Sequence, residues 1–383
     1  MAKKKILLVI RIMSTGGIIS SLKALMQTSF SRDNEVTILT LCKSGIEQYP
    51  ELLQYVKHAG LLSQIWYAST SKASPLTKLL TLPIKIIKHA PWIGNKIDTM
   101  VERRIAKRAE REIPHDVVIA FSEDTAHKIV QHFNTANRIV WIHCDYGNVI
   151  KRNNENLLNK FSTIVCVSDF TRDSFIKRYP SLESKVKSIY NVCSVESIKA
   201  KAKEKIDDNR FDTSEFTIIS VGRVAPVKRF PEIPMVAKRL KESGCIFKWY
   251  IIGSGIAEEV EKVKTAIESY GMQKEVIMLG AKPNPYPYFK AADLLVSTSE
   301  SEACPMIFNE AKIIGTPIVS TDFGSSYEFI KEGRDGIISS LDNLHNAIAQ
   351  MAQKDIYNSY TPQIDEALKE YCIIDKINKI LDL

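Results

Sequence analysis

Two glutamates and a proline within residues 299–311 form the grouping with the clearest chemistry in the sequence. Glu302 lies in a loop before Pro305, and Glu310 follows Glu302 by eight positions, on the helix that Pro305 is predicted to begin. Proline suits a first helical position because its missing N–H would be unpaired there. A helix start offers free backbone N–H groups and a positive dipole end, which suit a phosphate. Carboxylates beside such an anion site can accept sugar and ribose hydroxyls, so the segment predicts a nucleotide-sugar site.

This spacing resembles the Glu-x7-Glu motif of retaining glycosyltransferases of the two-Rossmann (GT-B) type, in particular glycosyltransferase family 4. Residues 315–320, which read GTPIVS, resemble the family's strand after the motif helix, and Gly324, Glu328, Gly333 and Gly336 follow at familiar intervals. The resemblance is dense over residues 217–339 and loose before 192. It departs at Ala303, where the family often has glycine, and at Lys312-Ile313, where it often has Met-Ala. Lys312 is expected to project from the helix.

Arg223 and Lys228 follow the strand-like run 216–221. The corresponding residues of the family hold the donor diphosphate, so the resemblance implies that role here. Departure of a nucleoside diphosphate develops negative charge, which fixed cations stabilise. Arginine offers a planar fork and lysine a point charge. No Asp-x-Asp occurs in the sequence, so neither a metal ion nor another cofactor is expected.

The resemblance also implies a set of donor-binding residues. Glu302 would hold hydroxyls of the donor sugar and Glu310 those of the ribose. Glycine turns at strand ends would let the backbone approach the nucleotide, and the loop at Lys282 would hold the base edge through backbone groups. The donor-binding residues implied are Gly16, Gly17, Gly222, Gly253, Gly255, Lys282, Met306, Ile307 and Glu310.

A polar cluster follows the strand-like run 139–143 in the first half of the chain. His143 resembles the family histidine that touches the donor sugar near its 6-hydroxyl, which would complete a catalytic set with Arg223, Lys228 and Glu302. From the residues alone, a structural histidine is an equal interpretation. Asp145 and Tyr146 are expected to contact the acceptor.

Apolar runs alternate with helical patterns along the whole chain, which favours an α/β fold with parallel sheets. The strand-like runs are residues 5–10, 36–41, 117–121, 139–143 and 163–167, then 216–221, 247–252, 276–279, 294–297 and 317–320. We expect two Rossmann-like domains facing a central cleft, residues 1–192 for the acceptor and 215–360 for the nucleotide-sugar, joined by a linker at 193–214. Residues 361–383 are expected to cross back to the first domain, as they do in the family.

Composition and charge limit the classes of protein that need consideration. The chain has 383 residues, a formal charge of +8 and 45% hydrophobic residues, which suits a soluble protein of two domains with an anionic partner. The seven cysteines are scattered without a Cys-x-x-Cys pair, which indicates reduced thiols in a cytosol. The apolar run at 5–10 is short and is followed by Arg11, so we interpret it as a buried strand and not as a signal peptide.

Basic and apolar residues are interleaved between positions 76 and 113. Between Lys78 and Glu112 there are nine basic and four acidic residues, a net +5. This character is typical of a segment at an anionic membrane surface, and it predicts a cytoplasmic protein that lies peripherally at the inner face of the cell membrane. A solvated basic helix over the core is the alternative.

The family resemblance, taken with these patterns, implies a metal-independent, retaining hexosyltransferase of cell-surface polysaccharide or glycolipid synthesis. The donor expected from family frequency is a UDP-sugar, and the acceptor a hydroxyl of a glycan or a lipid-linked sugar. One alternative is another two-lobe nucleotide-sugar enzyme, a hydrolase or epimerase. The other is a basic nucleic-acid-binding protein, against which the sequence shows no helix-turn-helix signature or aromatic-basic RNA motif, so no nucleic acid is expected as a partner.

Overall fold

The computed structural model describes residues 3–11, 16–42, 45, 47, 49–60, 63, 66–67, 91–123, 125–150 and 152–382. It divides into two compact units. The first comprises Met1–Tyr190 with Ile373–Leu383, and the second comprises Asn191–Cys372. Within the described residues no helix has the length and apolar character needed to span a bilayer.

The described part of the first unit contains a seven-stranded parallel sheet in the order β3-β2-β1-β4-β5-β6-β7. Its strands are β1 (Lys5–Ile10), β2 (Glu35–Thr40), β3 (Val56–His58), β4 (Val117–Ala120), β5 (Arg138–Ile142), β6 (Thr163–Cys166) and β7 (Val186–Ser188). The helices are α1 (Gly17–Met26), α2 (Ser29–Asp33), α3 (Pro91–Glu112), α4 (Thr125–Val130), α5 (Tyr146–Val149), α6 (Glu155–Leu158) and α7 (Asp169–Arg178), with 3₁₀ turns at Pro50–Tyr55 and Pro180–Lys185.

The second unit contains a six-stranded parallel sheet in the order β10-β9-β8-β11-β12-β13. Its strands are β8 (Phe216–Val221), β9 (Phe247–Ile252), β10 (Val276–Gly280), β11 (Leu294–Ser297), β12 (Ile318–Thr321) and β13 (Gly336–Ser339). The helices are α8 (Val195–Lys201), α9 (Ile233–Glu242), α10 (Ala257–Ser269), α11 (Tyr286–Ala291), α12 (Met306–Ile314), α13 (Ser326–Phe329), α14 (Leu344–Met351) and α15 (Lys354–Tyr357). Shorter 3₁₀ turns lie at Pro226–Lys228, Phe230–Glu232, Leu341–Asn343 and Glu366–Leu368.

The two sheets are built from strands that are apolar on both faces. Residues 6–10 of β1 and residues 217–221 of β8 are buried throughout, because helices cover each sheet on both sides as in other parallel α/β domains. The predicted fold class, two parallel-sheet Rossmann-like domains, is confirmed. Within the last helix, α16 (Glu370–Leu381), the chain passes from the second unit to the first: Ile373–Leu383 group with the first unit, whereas residues 361–372 of the segment expected to cross back lie in the second.

Residues 193–214, which we expected to form a linker, lie inside the second unit. Helix α8 begins there, and Cys193 and Ile198 pack with Ile313 of α12 in a small buried cluster. The charged composition of the segment concealed these few apolar contacts. In the structure the boundary therefore falls between Tyr190 and Asn191.

Candidate functional site

The second unit brings two loops together at the point where its strand order reverses. β8 and β11 are neighbours, but β8 leads to β9 on one side and β11 leads to β12 on the other. Open parallel sheets bind ligands at this position, outside the carboxyl ends of the strands. The Glu300 amide donates to the Val227 carbonyl oxygen at 2.8 Å, and the Thr298 hydroxyl donates to that of Lys228 at 2.7 Å. These bonds hold the loop after β8 against the loop after β11.

Lys228 and Glu302 form an ion pair across these two loops. Each side chain is 16% exposed, and the Lys228 ammonium contacts Oε1 of Glu302. The Ser299 hydroxyl donates to the same oxygen at 2.8 Å, and the Ser325 hydroxyl donates to the Glu302 carbonyl oxygen at 2.7 Å. The fold therefore brings together two of the predicted catalytic residues and fixes the carboxylate from both its side chain and its backbone.

The glycines after β8 and β9 allow two backbones to approach more closely than any side chain would permit. A Cβ atom on Gly253 would lie 1.8 Å from the carbonyl oxygen of Gly222, and one on Gly255 would lie 2.1 Å from that of Val224. A Cβ on Gly222 would lie 3.4 Å from Cε of Lys228. The backbone of the predicted glycine turns therefore lies next to the Lys228 side chain.

Helix α12 presents its first amides without an intrahelical partner. The Phe308 amide is the first that bonds back, to the Pro305 carbonyl oxygen at 3.0 Å. The amides of Met306 and Ile307 precede it and have no hydrogen-bond partner within the described part of the chain. Because the helix dipole places positive charge at this end, these amides can receive an anion. Pro305 is buried and extended at the N-cap, so the helix begins at Met306, one residue after the position that the sequence predicts.

Glu310 lies on α12 about one turn after those free amides. The Tyr286 hydroxyl donates to its Oε1 at 3.2 Å. Burial raises the pKa of the Glu310 carboxyl to about 7, although the Tyr286 hydrogen bond and the Lys228 charge both act to lower it. Lys228 therefore influences both glutamates of the motif, through an ion pair with Glu302 and through its charge on Glu310.

Arg223 and Lys282 differ in how much of their charge remains available. Arg223 is exposed, and it forms no hydrogen bond or ion pair with any described residue. The Lys282 ammonium instead lies 2.6 Å from Oδ2 of Asp208. Arg210 and Lys282 together hold the pKa of the Asp208 carboxyl well below its usual range. Arg223 is therefore available to an anionic ligand, whereas the Lys282 side chain is occupied within the unit.

The arrangement of cations, free amides and hydroxyl acceptors can be compared with known proteins. Residues 201–362 match the family described as "Glycosyl transferases group 1". This part of the chain is a group 1 glycosyltransferase domain. It includes Arg223, Lys228, Glu302 and Glu310.

The chain matches several curated relatives in sequence. An uncharacterized glycosyltransferase of Methanocaldococcus jannaschii is 26% identical over 236 residues, covering 55% of this chain and 57% of the relative. The N-acetylgalactosamine-N,N'-diacetylbacillosaminyl-diphospho-undecaprenol 4-alpha-N-acetylgalactosaminyltransferase of Campylobacter jejuni is 24% identical over 295 residues, covering 73% of this chain and 74% of the relative. The match to the first relative thus spans little more than half of its length.

A solved structure shows the fold along almost the whole chain. Anabaena HepE in complex with UDP and glucose superposes with a TM-score of 0.71 and 16% sequence identity, covering 99% of each chain. At this identity the likeness establishes the fold, two parallel-sheet domains of the GT-B type.

Outside the group 1 glycosyltransferase domain, His143 follows β5 in the first unit. Its backbone N–H donates to Oε2 of Glu123 at 3.0 Å, and its ring lies 4.8 Å from that of Phe121. Both ring nitrogens are buried without a hydrogen-bond partner among the described residues. Burial lowers the pKa of the imidazole to about 3, so the ring is neutral at physiological pH.

Asp145 and Tyr146, which we expected to contact an acceptor, are buried in the first unit. The Ser174 hydroxyl donates to Oδ1 of Asp145 at 2.6 Å, and the Asn154 side-chain amide donates to the Tyr146 hydroxyl at 2.7 Å. Tyr146 is 1% exposed. The strand ends in the four-residue helix α5, which packs on α7 and draws both side chains inward. The structure uses them for internal contacts in place of the expected acceptor role.

The glycine loop after β1 is described only in part. Gly16 precedes α1 and Gly17 begins it, and the Ser20 amide donates to the Gly16 carbonyl oxygen at 3.1 Å. Residues 13–15 of this loop lie outside the described residues. So do residues 76–90 of the basic and apolar segment. The rest of that segment forms α3, whose exposed side chains include Met100 and the cations Lys96, Arg103, Arg104, Lys107, Arg108 and Arg111.

Lys312 does not project from α12 as expected but is buried, with its side chain 0% exposed. Its ammonium donates to the Phe329 carbonyl oxygen at 2.8 Å and to Oδ2 of Asp365 at 3.2 Å. Arg334 and Lys331 also pair with Asp365. Sequence reasoning missed this cluster, and it also missed Tyr286. The position of Tyr286 shortly after a predicted strand end was the one signal that could have indicated it.

Proposed function

We propose that this protein transfers a sugar from a UDP-sugar to a hydroxyl of a glycan or lipid-linked acceptor. The proposed reaction retains the anomeric configuration and needs no metal ion, as expected for a member of glycosyltransferase family 4. The observation that carries the proposal is the Lys228–Glu302 ion pair at the strand-order reversal of a group 1 domain. The same two loops carry Arg223 and lead into the free amides of α12, so together they supply cations and N–H donors for a diphosphate and carboxylates for hydroxyls.

The site residues of the second unit have distinct roles in this proposal. Arg223, Lys228 and the amides of Met306 and Ile307 stabilise the leaving diphosphate, where negative charge develops. Glu302 accepts hydroxyls of the donor sugar, and Glu310 accepts those of the ribose. His143 of the first unit acts on the donor sugar as a neutral imidazole. The tight backbone at Gly222 and Gly253 leaves room for the nucleotide.

The proposed chemistry requires no protein nucleophile. The bond between the anomeric carbon and the phosphate oxygen breaks, and the acceptor oxygen forms its new bond on the same face of the sugar. The acceptor hydroxyl proton passes to the leaving phosphate oxygen. Lys228 and Arg223 stabilise the negative charge that develops on that oxygen during the step.

Names of similar proteins support the choice of donor and acceptor. The Anabaena structure is described as a complex with UDP and glucose. The Campylobacter relative is named for transfer to a sugar on diphospho-undecaprenol. A lipid-linked acceptor is consistent with the exposed cations of α3.

A donor screen followed by a transfer assay tests the proposal. Thermal shift with UDP-, GDP-, ADP- and dTDP-sugars should select a UDP-sugar. Transfer to undecaprenyl-diphosphate-linked saccharides should persist in excess EDTA, and NMR of the product should show an anomeric configuration equal to that of the donor. Activity restored only by manganese would contradict metal independence, and an inverted product would contradict retention. Sugar release without acceptor at the rate of transfer would contradict the transferase activity itself.

We further propose that the protein lies at the inner face of the cell membrane through the basic face of α3. Each lysine or arginine near an anionic leaflet contributes about 1 kcal/mol. Flotation with anionic vesicles at low salt should carry the protein upward, and high salt or neutral lipid should release it. Arg103→Glu with Arg104→Glu should abolish flotation. Lys238→Glu with Lys290→Glu makes the same charge change at exposed positions of the second unit and should not. A protein that stays in solution with anionic vesicles at low salt would favour a soluble acceptor.

A further inference from the structure

Tyr286 and Glu310 form a contact that connects two helices of the second unit. Tyr286 begins α11, and its hydroxyl donates to Oε1 of Glu310 on α12 at 3.2 Å. Its ring packs in the small apolar cluster that contains Cys193 and Ile198. The hydroxyl thus approaches the carboxylate from a helix that carries none of the motif residues.

The loop before Tyr286 is fixed by side-chain bonds. The Tyr286 amide donates to Oδ1 of Asn284 at 3.2 Å. The Asn284 side-chain amide donates in turn to the Lys201 carbonyl oxygen at 2.9 Å and to Oε2 of Glu204 at 2.8 Å. Because the end of α8 holds this loop, the Tyr286 hydroxyl is directed at Glu310 before any ligand arrives.

Few other titratable groups act on the Glu310 carboxylate. The positive charge of Lys228, in the loop after β8, acts to lower the pKa of Glu310. The Cys193 thiol, which precedes α8, interacts electrostatically with the same carboxylate. The remaining charged side chains on the two helices packed against α12 are Glu196, Lys199 and Lys290, which are exposed, and Lys201 at the end of α8. Tyr286 is therefore the group that contacts the carboxylate directly.

We propose that Tyr286 is a positioning residue for the nucleotide: by donating a hydrogen bond to one oxygen of Glu310, it leaves the other oxygen free to accept ribose hydroxyls. This inference rests on the proposed function, because it assumes that Glu310 accepts ribose hydroxyls. An ionised carboxylate offers only acceptors, whereas a protonated one has lost part of that capacity. Nucleotide affinity should therefore follow the charge of Glu310.

The sign of the pH dependence follows from the surroundings of Glu310. Burial raises its pKa to about 7, and the Tyr286 hydrogen bond opposes that rise. Affinity for UDP should fall as the pH decreases through about 7. Without the Tyr286 hydroxyl the carboxyl should hold its proton to a higher pH, which moves the midpoint of the affinity curve upward. A displacement of about one pH unit would correspond to a loss of about five-fold in UDP affinity at pH 7.

Calorimetry of UDP binding between pH 6 and pH 8.5 tests the inference on four forms of the full chain. Tyr286→Phe should bind about five-fold more weakly than wild type at pH 7 and within about two-fold of it at pH 8.5. Glu310→Gln reports the ionisation of UDP itself, because it has no carboxyl at this position. Tyr288→Phe removes a hydroxyl from the same helix that does not bond to Glu310, and its pH curve should match that of wild type.

The outcomes separate this inference from the proposed function. Absence of UDP binding to wild type at every pH would contradict the proposed donor and, with it, the inference. UDP binding whose pH curve is unchanged by Tyr286→Phe, or that Tyr286→Phe weakens equally at every pH, would overturn the positioning role alone. A midpoint displaced upward in Tyr286→Phe and unchanged in Tyr288→Phe would establish it.

Discussion

The two units place polar residues at the same position in their sheets, just after a strand, yet use them differently. After β5 in the first unit, Asp145 and Tyr146 turn inward and bond to side chains of the same unit. After β8 in the second unit, Arg223 stays exposed and Lys228 pairs with a carboxylate from the loop after β11, the neighbouring strand in the sheet. Position after a strand is therefore insufficient to make a ligand group.

Backbone geometry explains the difference. At β8 and β9 the backbones approach each other closely at Gly222 and Gly253, and the next side chain, Arg223, stays exposed. At β5 the chain enters α5, where Gly147 lies directly against Ser174 of α7. There the close approach allows α5 to pack on α7, and the polar groups form hydrogen bonds with side chains of the same unit.

The largest expected effect tests the cations of the second unit. Arg223→Ala and Lys228→Ala should each lower kcat by about 100-fold or more, as does loss of one donor to a developing oxyanion. Arg229→Ala is the matched control, because Arg229 is adjacent to Lys228 but pairs with the exposed Glu300. If both variants turn over near the wild-type rate, the diphosphate binds elsewhere and the contrast between the units disappears.

A smaller effect should divide the two glutamates of the motif. Glu302→Gln should reduce kcat by about 30-fold with little change in UDP affinity, because its partner is the donor sugar. Glu310→Ala should weaken UDP binding by about 30-fold, the loss of two hydrogen bonds of roughly 1 kcal/mol each. Calorimetry with UDP together with steady-state kinetics measures both. The reverse pattern would overturn the assignment.

Lys312 tests whether the second unit also contains a purely structural ionic cluster. Lys312→Met leaves Asp365 with two of its three cations, so we expect the free energy of unfolding to fall by about 2 kcal/mol. Lys331→Met removes an exposed partner of the same carboxylate and should cost less than about 0.5 kcal/mol. Denaturant unfolding measures both free energies of unfolding. Equal losses would show that burial does not increase the contribution of Lys312 to stability.

The smallest expected effect concerns the first unit. Tyr146→Phe removes the acceptor for the Asn154 amide and should lower the free energy of unfolding by about 1 kcal/mol. The KM for the acceptor should not change. A raised acceptor KM with unaltered stability would restore Tyr146 to the role that the sequence suggested and would make the two units alike.

The sequence by itself determined the longer strands and the residues of the donor motif. Runs such as Phe216–Val221 and Phe247–Ile252 are predictable because a continuous apolar run bounded by turn residues requires burial on both faces. The glycines after β8 and β9 are predictable because they satisfy a local backbone requirement, and Pro305 predicts the start of α12 to within one residue. The strands β3, β7 and β13 were missed because they are incompletely buried, unlike the equally short β4, β6, β11 and β12, which are buried throughout and were predicted.

Only the tertiary structure decided which side chains meet. Lys228 and Glu302 are 74 positions apart and become neighbours because β8 lies beside β11 in the sheet. The same ordering places Tyr286 against Glu310, 24 positions away. From its local sequence, Lys312 is expected to be a surface residue. The packing of α12 against residues far along the chain buries it beside Asp365. Periodicity reports which face of an element is apolar, whereas the partner of a charged group depends on which elements the fold brings alongside it.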